Sequence, residues 1–534
     1  MALALALVLP ACHSGPDAAI ADGGPLPDTS PRLCATPTAC DDTSVHACRD
    51  GKLAEVIERC APELACSRGR CTSAACAAAE LDQAGVLGCT FYTLHLENVT
   101  SDEMLPSSVI VTNPGQTSAN ATLQGRSGGQ WVEVAKAVVP PMHAARLQMP
   151  AAIFETMGTA AQLALRLVSD QPVTAMHVQS DDTGAVTSRS SGATMLLPEH
   201  VLGRRYRAIA YPQIATPAVG ATDGSRAGAA QLAIVATQDH TTVTLTPPAT
   251  VTFSGGLPAA GPNGAFKFTL DDGDFEEIYT AMDGDDLTGA EIVADKGIAV
   301  FSGNISTTYG QSSLGINSAD LAHEQLLPVS AWARTFVAAA LPPREGLCDS
   351  FYDAGPSSIW RVVADQPGTQ VTFTPASGVT GPFSARTLDA GEPLRLFVPA
   401  NVSFSVSASA PIEMMQGMDC EATLSSAVPT DLLLDDLWFS VLPTYDSALA
   451  VVRKTGQPVF LDDARVDDTL FSPAGGGYEV GEVELPPCAP TDVVCAHHLA
   501  GQFGVTMRGE DVVTSWATTV PAWNVCTDPD RCGQ

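Results

Sequence analysis

Basic residues are scarce in this chain of 534 residues. It has 27 Lys and Arg against 59 Asp and Glu, for a formal net charge of −32. The phosphates of nucleic acids and the headgroups of anionic lipids both attract clusters of positive charge. The charge balance therefore argues against nucleic-acid binding and against docking on anionic membrane surfaces. We expect membrane contact only through a covalent anchor.

The chain begins with an apolar run, residues 1–10, that is too short to span a bilayer and has no basic residue before it. It leads into Leu9-Pro10-Ala11-Cys12, which resembles a bacterial lipobox and predicts acylation of Cys12. His13 follows, not the Asp that favours inner-membrane retention, so we expect a lipid anchor in the outer membrane or at the cell surface. An ordinary cleaved signal, with a secreted or periplasmic product, is the alternative. The missing basic n-region leaves open whether Met1 is the true start.

Motifs for catalysis are missing from the sequence. There is no HExxH, no GxxxxGK[ST] and no GxGxxG after a predicted strand. Residues 310–315, GQSSLG, have the wrong spacing for a nucleophile elbow. We therefore expect no catalytic residues, no enzyme activity and no cofactor. A hydrolase whose site forms only in three dimensions is the alternative.

Three acidic clusters could supply oxygen ligands: Asp271-Asp272-Gly273-Asp274, Asp283-Gly284-Asp285-Asp286 and Asp462-Asp463. Calcium takes six to eight such ligands. None of the clusters has the EF-hand spacing, and no RTX repeat is present. We interpret them as solvated turn acids, with Ca²⁺ binding as the alternative.

Cys495, His497 and His498 also lie together and could ligate a metal. We interpret them instead as one half of a disulfide bond beside two surface histidines. The sequence thus predicts no metal site.

The cysteine pattern predicts disulfide bonds in an oxidising compartment. Of the 15 cysteines, six crowd into a 38-residue window with spacings that fit neither zinc nor the EGF pattern. They predict a module stapled by three bridges, whose connectivity the sequence leaves open: Cys34, Cys40, Cys48, Cys60, Cys66 and Cys71. The others are interpreted as neighbouring pairs, with the last pair assigned by elimination: Cys76–Cys89, Cys488–Cys495, Cys526–Cys532 and Cys348–Cys420.

From about residue 90 the chain repeats a pattern three times. The first element is a pair of β-rich runs joined by a polar turn, at 109–123, 233–245 and 361–373. The alternation in its second run is typical of a half-buried strand. We therefore expect Leu123, Leu245 and Phe373 to occupy equivalent buried positions.

Two further elements recur in the same order. FTLDDGDFEEI (268–278) and RTLDAGEPLRL (386–396) place Asp and Gly between apolar runs, which predicts hairpin turns. Residues 165–178, 291–301 and 404–415 each predict a strand, a turn and a second strand.

These patterns predict an all-β fold with abundant turns, in keeping with 45 Gly and 39 Pro. Each copy spans about 125 residues, which suits three tandem β-sandwich-like units. A six-bladed β-propeller, with two blades per copy, is the alternative. The predicted divisions are a signal peptide (1–12), a flexible tether (13–33), a Cys-rich disulfide module (34–71), β repeat units 1 to 3 (88–212, 213–342 and 343–443) and a C-terminal β-rich unit (444–534).

The repeats, the opening Gly88-Cys89-Thr90-Phe91-Tyr92 and the stretch LAGQFGVTMRGEDVVTSWATTVPAW (499–523) resemble the N-terminal domain of IgGFc-binding proteins. This domain occurs in a mammalian mucus protein and in secreted or surface proteins of bacteria, including myxobacteria. The resemblance covers residues 88–523. The Cys-rich module ahead of it looks like those of lipoproteins from predatory bacteria.

The resemblance implies extracellular binding or adhesion rather than catalysis, and it supplies no ligand-binding residues. We therefore expect a cell-surface lipoprotein that binds an extracellular protein or glycan. A structural component of the envelope or the extracellular matrix is the alternative within the non-catalytic class.

Overall fold

The structure is a computed structural model that describes most of the chain from residue 38 onward. The described residues are 38–41, 43–50, 52–81, 86–98, 107–150, 158–160, 163–179, 191–214, 228–249, 251–253, 257–258, 260–261, 264–307, 320–341, 357–399, 401–418, 421–431, 433–443, 445–486, 494–510 and 515–520. They form two compact units, Met1–Cys71 and Thr72–Gln534. In the described part of the chain, no helix has the length and apolar character that a membrane span requires.

The smaller unit is held together by disulfide bonds rather than by an apolar core. Its strands are β1 (Thr38–Asp41), β2 (Ser44–Arg49), β3 (Lys52–Arg59), β4 (Leu64–Ser67) and β5 (Arg70–Ser73). β1, β2 and β3 form one antiparallel sheet, and β4 pairs with β5. Disulfide bonds join Cys40 to Cys66 and Cys60 to Cys71. Val45 is the one large aliphatic side chain that is fully buried among the described residues of this unit. Covalent staples therefore substitute for a hydrophobic core, as is usual for modules of this size.

The larger unit begins with a short helix and a strand that a disulfide bond joins. Helix α1 (Ala74–Ala79) starts at Ser73, whose hydroxyl accepts a hydrogen bond from the Cys76 backbone N–H at 3.1 Å. Cys76 is bonded to Cys89, the neighbour with which the sequence pairs it.

Most of the rest of the described chain is β-strand. The strands are β6 (Gly88–Thr93), β7 (Ser108–Asn113), β8 (Ala119–Ser127), β9 (Gln130–Val139), β10 (His143–Gln148), β11 (Gly158–Ala160), β12 (Leu165–Gln179), β13 (Gly192–Met195), β14 (Arg205–Arg207), β15 (Ala230–Ala236), β16 (Thr241–Thr246), β17 (Phe266–Leu270), β18 (Phe275–Tyr279), β19 (Glu291–Ala294), β20 (Ile298–Thr307), β21 (Asp320–Gln325), β22 (Ala333–Ala338), β23 (Ser357–Ala364), β24 (Thr369–Pro375), β25 (Arg386–Leu388), β26 (Pro393–Pro399), β27 (Phe404–Met418), β28 (Glu421–Ser426), β29 (Val428–Pro429), β30 (Leu434–Val441), β31 (Asp446–Lys454), β32 (Val459–Leu461), β33 (Ala464–Arg465), β34 (Phe471–Gly475), β35 (Tyr478–Glu484), β36 (Cys495–Glu510) and β37 (Ser515–Val520). Where the chain is described, three short 3-10 helices lie between these strands, at Glu199–Val201, Val329–Ala331 and Asp468–Leu470.

One strand order recurs four times along the described residues. Sandwich 1 pairs β6-β12-β8-β9 in one sheet and β10-β7-β12-β13 in the other. Sandwich 2 pairs β14-β19-β16-β17 and β18-β15-β20-β21. Sandwich 3 pairs β22-β27-β24-β25 and β26-β23-β27-β28. Sandwich 4 pairs β30-β36-β32-β33 and β35-β31-β36-β37. We call the first sheet of each sandwich its outer sheet and the second its inner sheet.

The alternating pattern in the sequence belongs to the outer sheets. In β16 and β24 every second residue is buried, because these strands have one face on the sandwich core and one towards solvent. Leu123, Leu245 and Phe373 are buried at equivalent places, opposite Leu167, Ile292 and Val406 on the adjoining strand. The equivalence predicted for these three side chains is confirmed.

The central strands of the inner sheets are buried on both faces. β7 and β15 are buried at every residue, which explains their unbroken apolar runs. In β15, Leu232 and Ile234 face the core of their own sandwich, whereas Ala233 and Val235 pack with sandwich 1. Likewise Ala450 and Val452 of β31 pack with sandwich 3.

Sandwich 4 also contacts sandwich 1, so the four sandwiches close into a ring. The hydroxyl groups of Thr112 and Ser440 lie 2.6 Å apart across this junction. At the centre, β13, β21, β28 and β37 contact one another in a closed cycle. Where these strands meet, threonine side chains bond to the backbone groups at the strand edges. The backbone N–H of Gln325 donates to the hydroxyl of Thr194 at 2.9 Å, and that of Met195 donates to the hydroxyl of Thr518 at 3.0 Å.

The all-β prediction is confirmed, and the two-sheet units favour the sandwich interpretation over the six-bladed propeller. The hairpin prediction is wrong: β17 pairs with β16 and β18 with β15, so the turn at residues 271–274 connects two different sheets.

The boundaries between the sandwiches also differ from the predicted ones. Sandwiches 2, 3 and 4 begin with β14, β22 and β30, upstream of the predicted boundaries at 212, 342 and 443. The strand before each boundary pairs within the copy that follows it.

Candidate ligand-binding cleft

A cleft of about 540 Å³ opens where sandwich 1 meets sandwich 4. Sandwich 4 supplies acidic and aromatic side chains, and sandwich 1 supplies an uncharged wall. The lining residues are Pro114, Gln116, Met142, Asp436, Trp438, Asp462, Asp463, Ala496 and His498.

Strand pairing fixes the aromatic part of the cleft. Trp438 on β30 lies directly opposite His498 on β36. Their rings stack in nearly parallel planes, with centroids 4.8 Å apart. The Trp438 carbonyl also accepts a hydrogen bond from the Thr174 hydroxyl of sandwich 1, at 3.2 Å. The indole is therefore held on two rigid strands and at the ring junction.

Each histidine of β36 is held by a carboxylate. His498 Nε2 lies 2.5 Å from Asp436 Oδ1. His497 Nδ1 lies 2.8 Å from Asp462 Oδ2, and the other oxygen of Asp462 accepts the backbone N–H of His498, also at 2.8 Å. The carboxylate of Asp462 thus fixes two consecutive residues of the strand.

Asp462 and Asp463 form the two-residue turn between β32 and β33, flanked by the pair Leu461 and Ala464. Both aspartates have positive φ, 49° and 65°. This turn geometry favours Asn and Gly, and Asp tolerates it because of its short polar side chain. The turn carries the Asp463 carboxylate to the cleft. Asp463 makes no hydrogen bond or ion pair with the described residues.

The opposite wall is braced by Asn113, the last residue of β7. Its amide group donates to the carbonyls of Thr117 and Val139, at 2.8 and 2.9 Å. Its side-chain oxygen accepts the Gly115 backbone N–H at 2.9 Å. These bonds fix the turn that bears Pro114 and Gln116, so both walls of the cleft are preorganised.

A second polar cluster lies in the protein interior, near the central strands. Burial lowers the pKa of His323 to about 3 and raises the pKa of Glu413 to about 8. Burial also lowers the pKa of His177 and raises the pKa of Glu324, whose Oε1 accepts a hydrogen bond from Thr518 at 3.0 Å. All four side chains are cut off from solvent. We therefore assign this cluster to stability rather than to ligand binding.

The cysteines named from the sequence are divided between bonded positions and segments outside the described residues. Beside the three bridges given above, Cys48 and Cys495 are disulfide-bonded as well. The anchor prediction and the remaining cysteines lie outside the described residues: Cys12, Cys34, Cys348, Cys420, Cys488, Cys526 and Cys532.

Two predictions about polar residues need correction. His497 is not a surface histidine, since only 7% of its side chain is exposed. Asp462 is more than a solvated turn acid: its side chain is 43% exposed, but both of its oxygens are hydrogen-bonded to the histidine pair. The sequence did not single out Trp438 or Asp436 at all, since nothing local shows that β30 will lie against β36.

The other acidic clusters bond to the protein itself. Asp272 accepts the indole N–H of Trp131 at 2.7 Å, and Asp285 accepts the backbone N–H of Thr252 at 3.0 Å. Asp286 pairs with the buried guanidinium of Arg361. Across the described ranges, no group of three or more His, Cys, Asp or Glu is arranged to hold a metal ion. Residues 310–315 lie outside those ranges.

Comparison with known proteins gives one informative match. No curated protein matches the chain. A solved structure, described as a tetra-tandem repeat in the extending region of a large adhesion protein, is 12% identical over 82% of this chain and 99% of its own. The TM-score between the two structures is 0.09.

The family model described as IgGFc binding protein matches residues 192–509, from the first residue of β13 into β36. This span is narrower than residues 88–523, but it includes all of sandwiches 2 and 3 and the strands that carry Trp438 and His498. The family prediction made from the repeats is confirmed. Because the match covers more than half of the chain, the protein belongs to the IgGFc-binding protein family.

Proposed function

We propose that this protein is a cell-surface lipoprotein, anchored through Cys12, that binds an extracellular partner in the cleft between sandwiches 1 and 4. Membership of the IgGFc-binding family supports an extracellular binding role. The observation that carries the proposal is the cleft itself, where an indole ring and three carboxylates converge on a concave surface. Binding sites typically combine such an apolar ring with a few fixed polar groups.

Preorganisation supports the choice of this site. Trp438 and His498 are held by strand pairing, and Asp436 and Asp462 by hydrogen bonds to the histidines. A ligand would therefore meet side chains that are already in place, which lowers the entropy lost on binding.

The same residues support binding rather than catalysis. Among the described residues that line the cleft there is no Ser, Thr, Cys or Lys nucleophile. The carboxylates of Asp436 and Asp462 are both engaged with histidines. We therefore propose that the cleft retains its ligand without transforming it, and that no cofactor takes part.

The binding site can be tested with the full chain, disulfides intact, on arrays of immobilised dodecamer peptides and glycans. We expect Trp438→Ala to lose at least tenfold in affinity for the ligands that the wild type retains. The matched control is Phe397→Ala, since the side chain of Phe397 is 53% exposed on β26 of another sandwich. Equal binding by the wild type and Trp438→Ala would show that the cleft is not the site.

The anchor is tested separately by growth with an alkyne-labelled fatty acid. The wild type should incorporate the label and appear in the membrane fraction, whereas Cys12→Ala should do neither. Cys12→Ser, which differs from cysteine by one atom, is the stricter variant and should behave like Cys12→Ala. Labelling of all three proteins to the same extent would refute the lipid anchor.

A further inference from the structure

We infer that the cleft selects a cationic side chain, above all the guanidinium of an arginine on an extracellular protein. The inference rests on the proposed function, because it names the ligand class of the same cleft.

The first argument is uncompensated charge. Asp436 and Asp462 are 64% and 43% exposed, and Asp463 is exposed on the adjoining turn. Among the described residues, no Lys or Arg pairs with any of the three. The opposite wall, Pro114, Gln116 and Met142, carries no charge. The cleft therefore presents up to three negative charges to an uncharged surface, which favours a cation.

In each of the two other acidic clusters, one aspartate has an arginine partner. Asp272 lies beside Arg126 and bonds to Trp131, and Asp286 pairs with Arg361. Their charges are compensated within the protein. Among the described residues, the carboxylates of the cleft bond only to the side chains of His497 and His498 and to the backbone N–H of His498. A histidine carries a charge only when protonated, so it compensates an aspartate less than arginine does.

The second argument is the burial of His497 behind the acidic turn. More than nine-tenths of its side chain is buried, and its Nδ1 bonds to Asp462. Its Nε2 finds no partner in the described part of the chain. His497 thus holds Asp462 in place without adding an exposed donor that would compete with a ligand for the carboxylate.

The third argument is the shape of the recognising group. A guanidinium is planar: it stacks on aromatic rings and donates in a fork that matches a carboxylate. The cleft offers both partners: the face of the Trp438 indole that does not stack on His498, and the carboxylate of Asp463, which bonds to none of the described residues. An ammonium group could satisfy the charge but not the stacking, so we expect arginine to bind more tightly than lysine.

The inference is tested by ¹⁹F NMR on the full chain labelled with 5-fluorotryptophan, with the Trp438 resonance assigned from Trp438→Phe. The probe is a Gly/Ser dodecamer that carries one arginine. Matched dodecamers carry citrulline, lysine or glutamate, and maltotriose and triacetylchitotriose serve as neutral sugars. We expect the arginine peptide to shift the Trp438 resonance saturably, at least tenfold more tightly than the citrulline peptide.

Charge variants locate the contact. Asp463→Asn should weaken binding of the arginine peptide roughly two- to fivefold, because it removes the charge of one exposed carboxylate but keeps a hydrogen-bond acceptor. Asp446→Asn makes the same change at an exposed residue of β31 that does not line the cleft, and it should leave affinity unchanged.

Two results would overturn the ligand class while leaving the proposed function intact. One is equal binding of the arginine and citrulline peptides, and the other is tighter binding of a neutral sugar at Trp438. Failure of every probe to move the Trp438 resonance, while array ligands still depend on Trp438, would also reject the cationic class. Array binding that does not depend on Trp438 would reject the proposed function itself.

Discussion

The imidazole rings of His177 and His323 lie with their centroids 5.5 Å apart, and neither ring has a hydrogen-bond partner in the described residues. His177 belongs to sandwich 1 and His323 to sandwich 2. Burial keeps both rings neutral and lowers the pKa of each, for His323 to about 3. The contact therefore makes the junction of two sandwiches sensitive to acid.

This contact predicts a loss of stability in acid. Below the unfolded-state pKa of about 6.5, the two imidazoles are protonated in the unfolded chain but stay neutral in the native state. The free energy of unfolding therefore falls as the pH drops towards 3. His177→Gln should reduce the slope by up to about 1.4 kcal/mol per pH unit. Chemical denaturation between pH 7 and pH 5 measures it. A constant offset between the two proteins, with unchanged slope, would contradict the prediction.

Glu413 predicts the opposite dependence. The native state keeps its proton up to a pKa of about 8, whereas the unfolded chain releases it near 4.5. Stability should therefore fall as the pH rises through this window. Glu413→Gln retains the shape without the titration, so its advantage over the wild type should grow from pH 5 to pH 8. An advantage that is the same at both pH values would count against a buried, protonated Glu413.

Truncation of Phe373 should lower the free energy of unfolding by a large amount. It is 4% exposed and packs edge-on to Phe404, with centroids 6.1 Å apart. Phe373→Ala should lower the free energy of unfolding by about 3–5 kcal/mol through lost burial and a residual cavity. Phe397→Ala is the comparison and should lower it by only about 1 kcal/mol, because the ring is 53% exposed and packs against Arg395 on one face. Similar effects of the two substitutions would refute the core position of Phe373.

The Cys60–Cys71 bond should stabilise the small unit alone. Its replacement by Cys60→Ser with Cys71→Ser should cost that unit about 2–5 kcal/mol, as for other small stapled domains. Limited proteolysis should then cleave within residues 38–71 while the melting transition of the larger unit stays unchanged. Mass mapping of the wild type under non-reducing conditions should find three disulfide bonds among the six cysteines of residues 34–71. A disulfide bond from one of them to a cysteine in residues 348–532 would contradict independent folding.

The sequence correctly predicted burial where the pattern within a single strand shows which of its faces are buried. The alternation around Leu245 reports one buried and one exposed face, and the unbroken run at β15 reports two buried faces. Sequence could not tell which sheet a strand joins. The turn at residues 271–274 shows only that the chain reverses, and its composition is the same whether the flanking strands pair or lie in opposite sheets.

The cleft was hidden for a related reason. Trp438 and His498 are 60 residues apart, and their contact depends on the register of β30 against β36. The other wall comes from sandwich 1, which the closed ring brings against sandwich 4 at contacts such as that between Thr112 and Ser440. No local pattern encodes a contact between positions 328 residues apart.

The threonine side chains that bond to the edges of the central strands also limit the number of copies in the ring. In a solenoid each copy touches only its neighbours, so copies can be gained or lost at an end. Here Thr518 of the last copy satisfies the backbone of Met195 in the first. Insertion or deletion of a copy would break this contact between the first and last copies. A gene duplication that merely lengthens a solenoid would therefore leave this protein with an open ring.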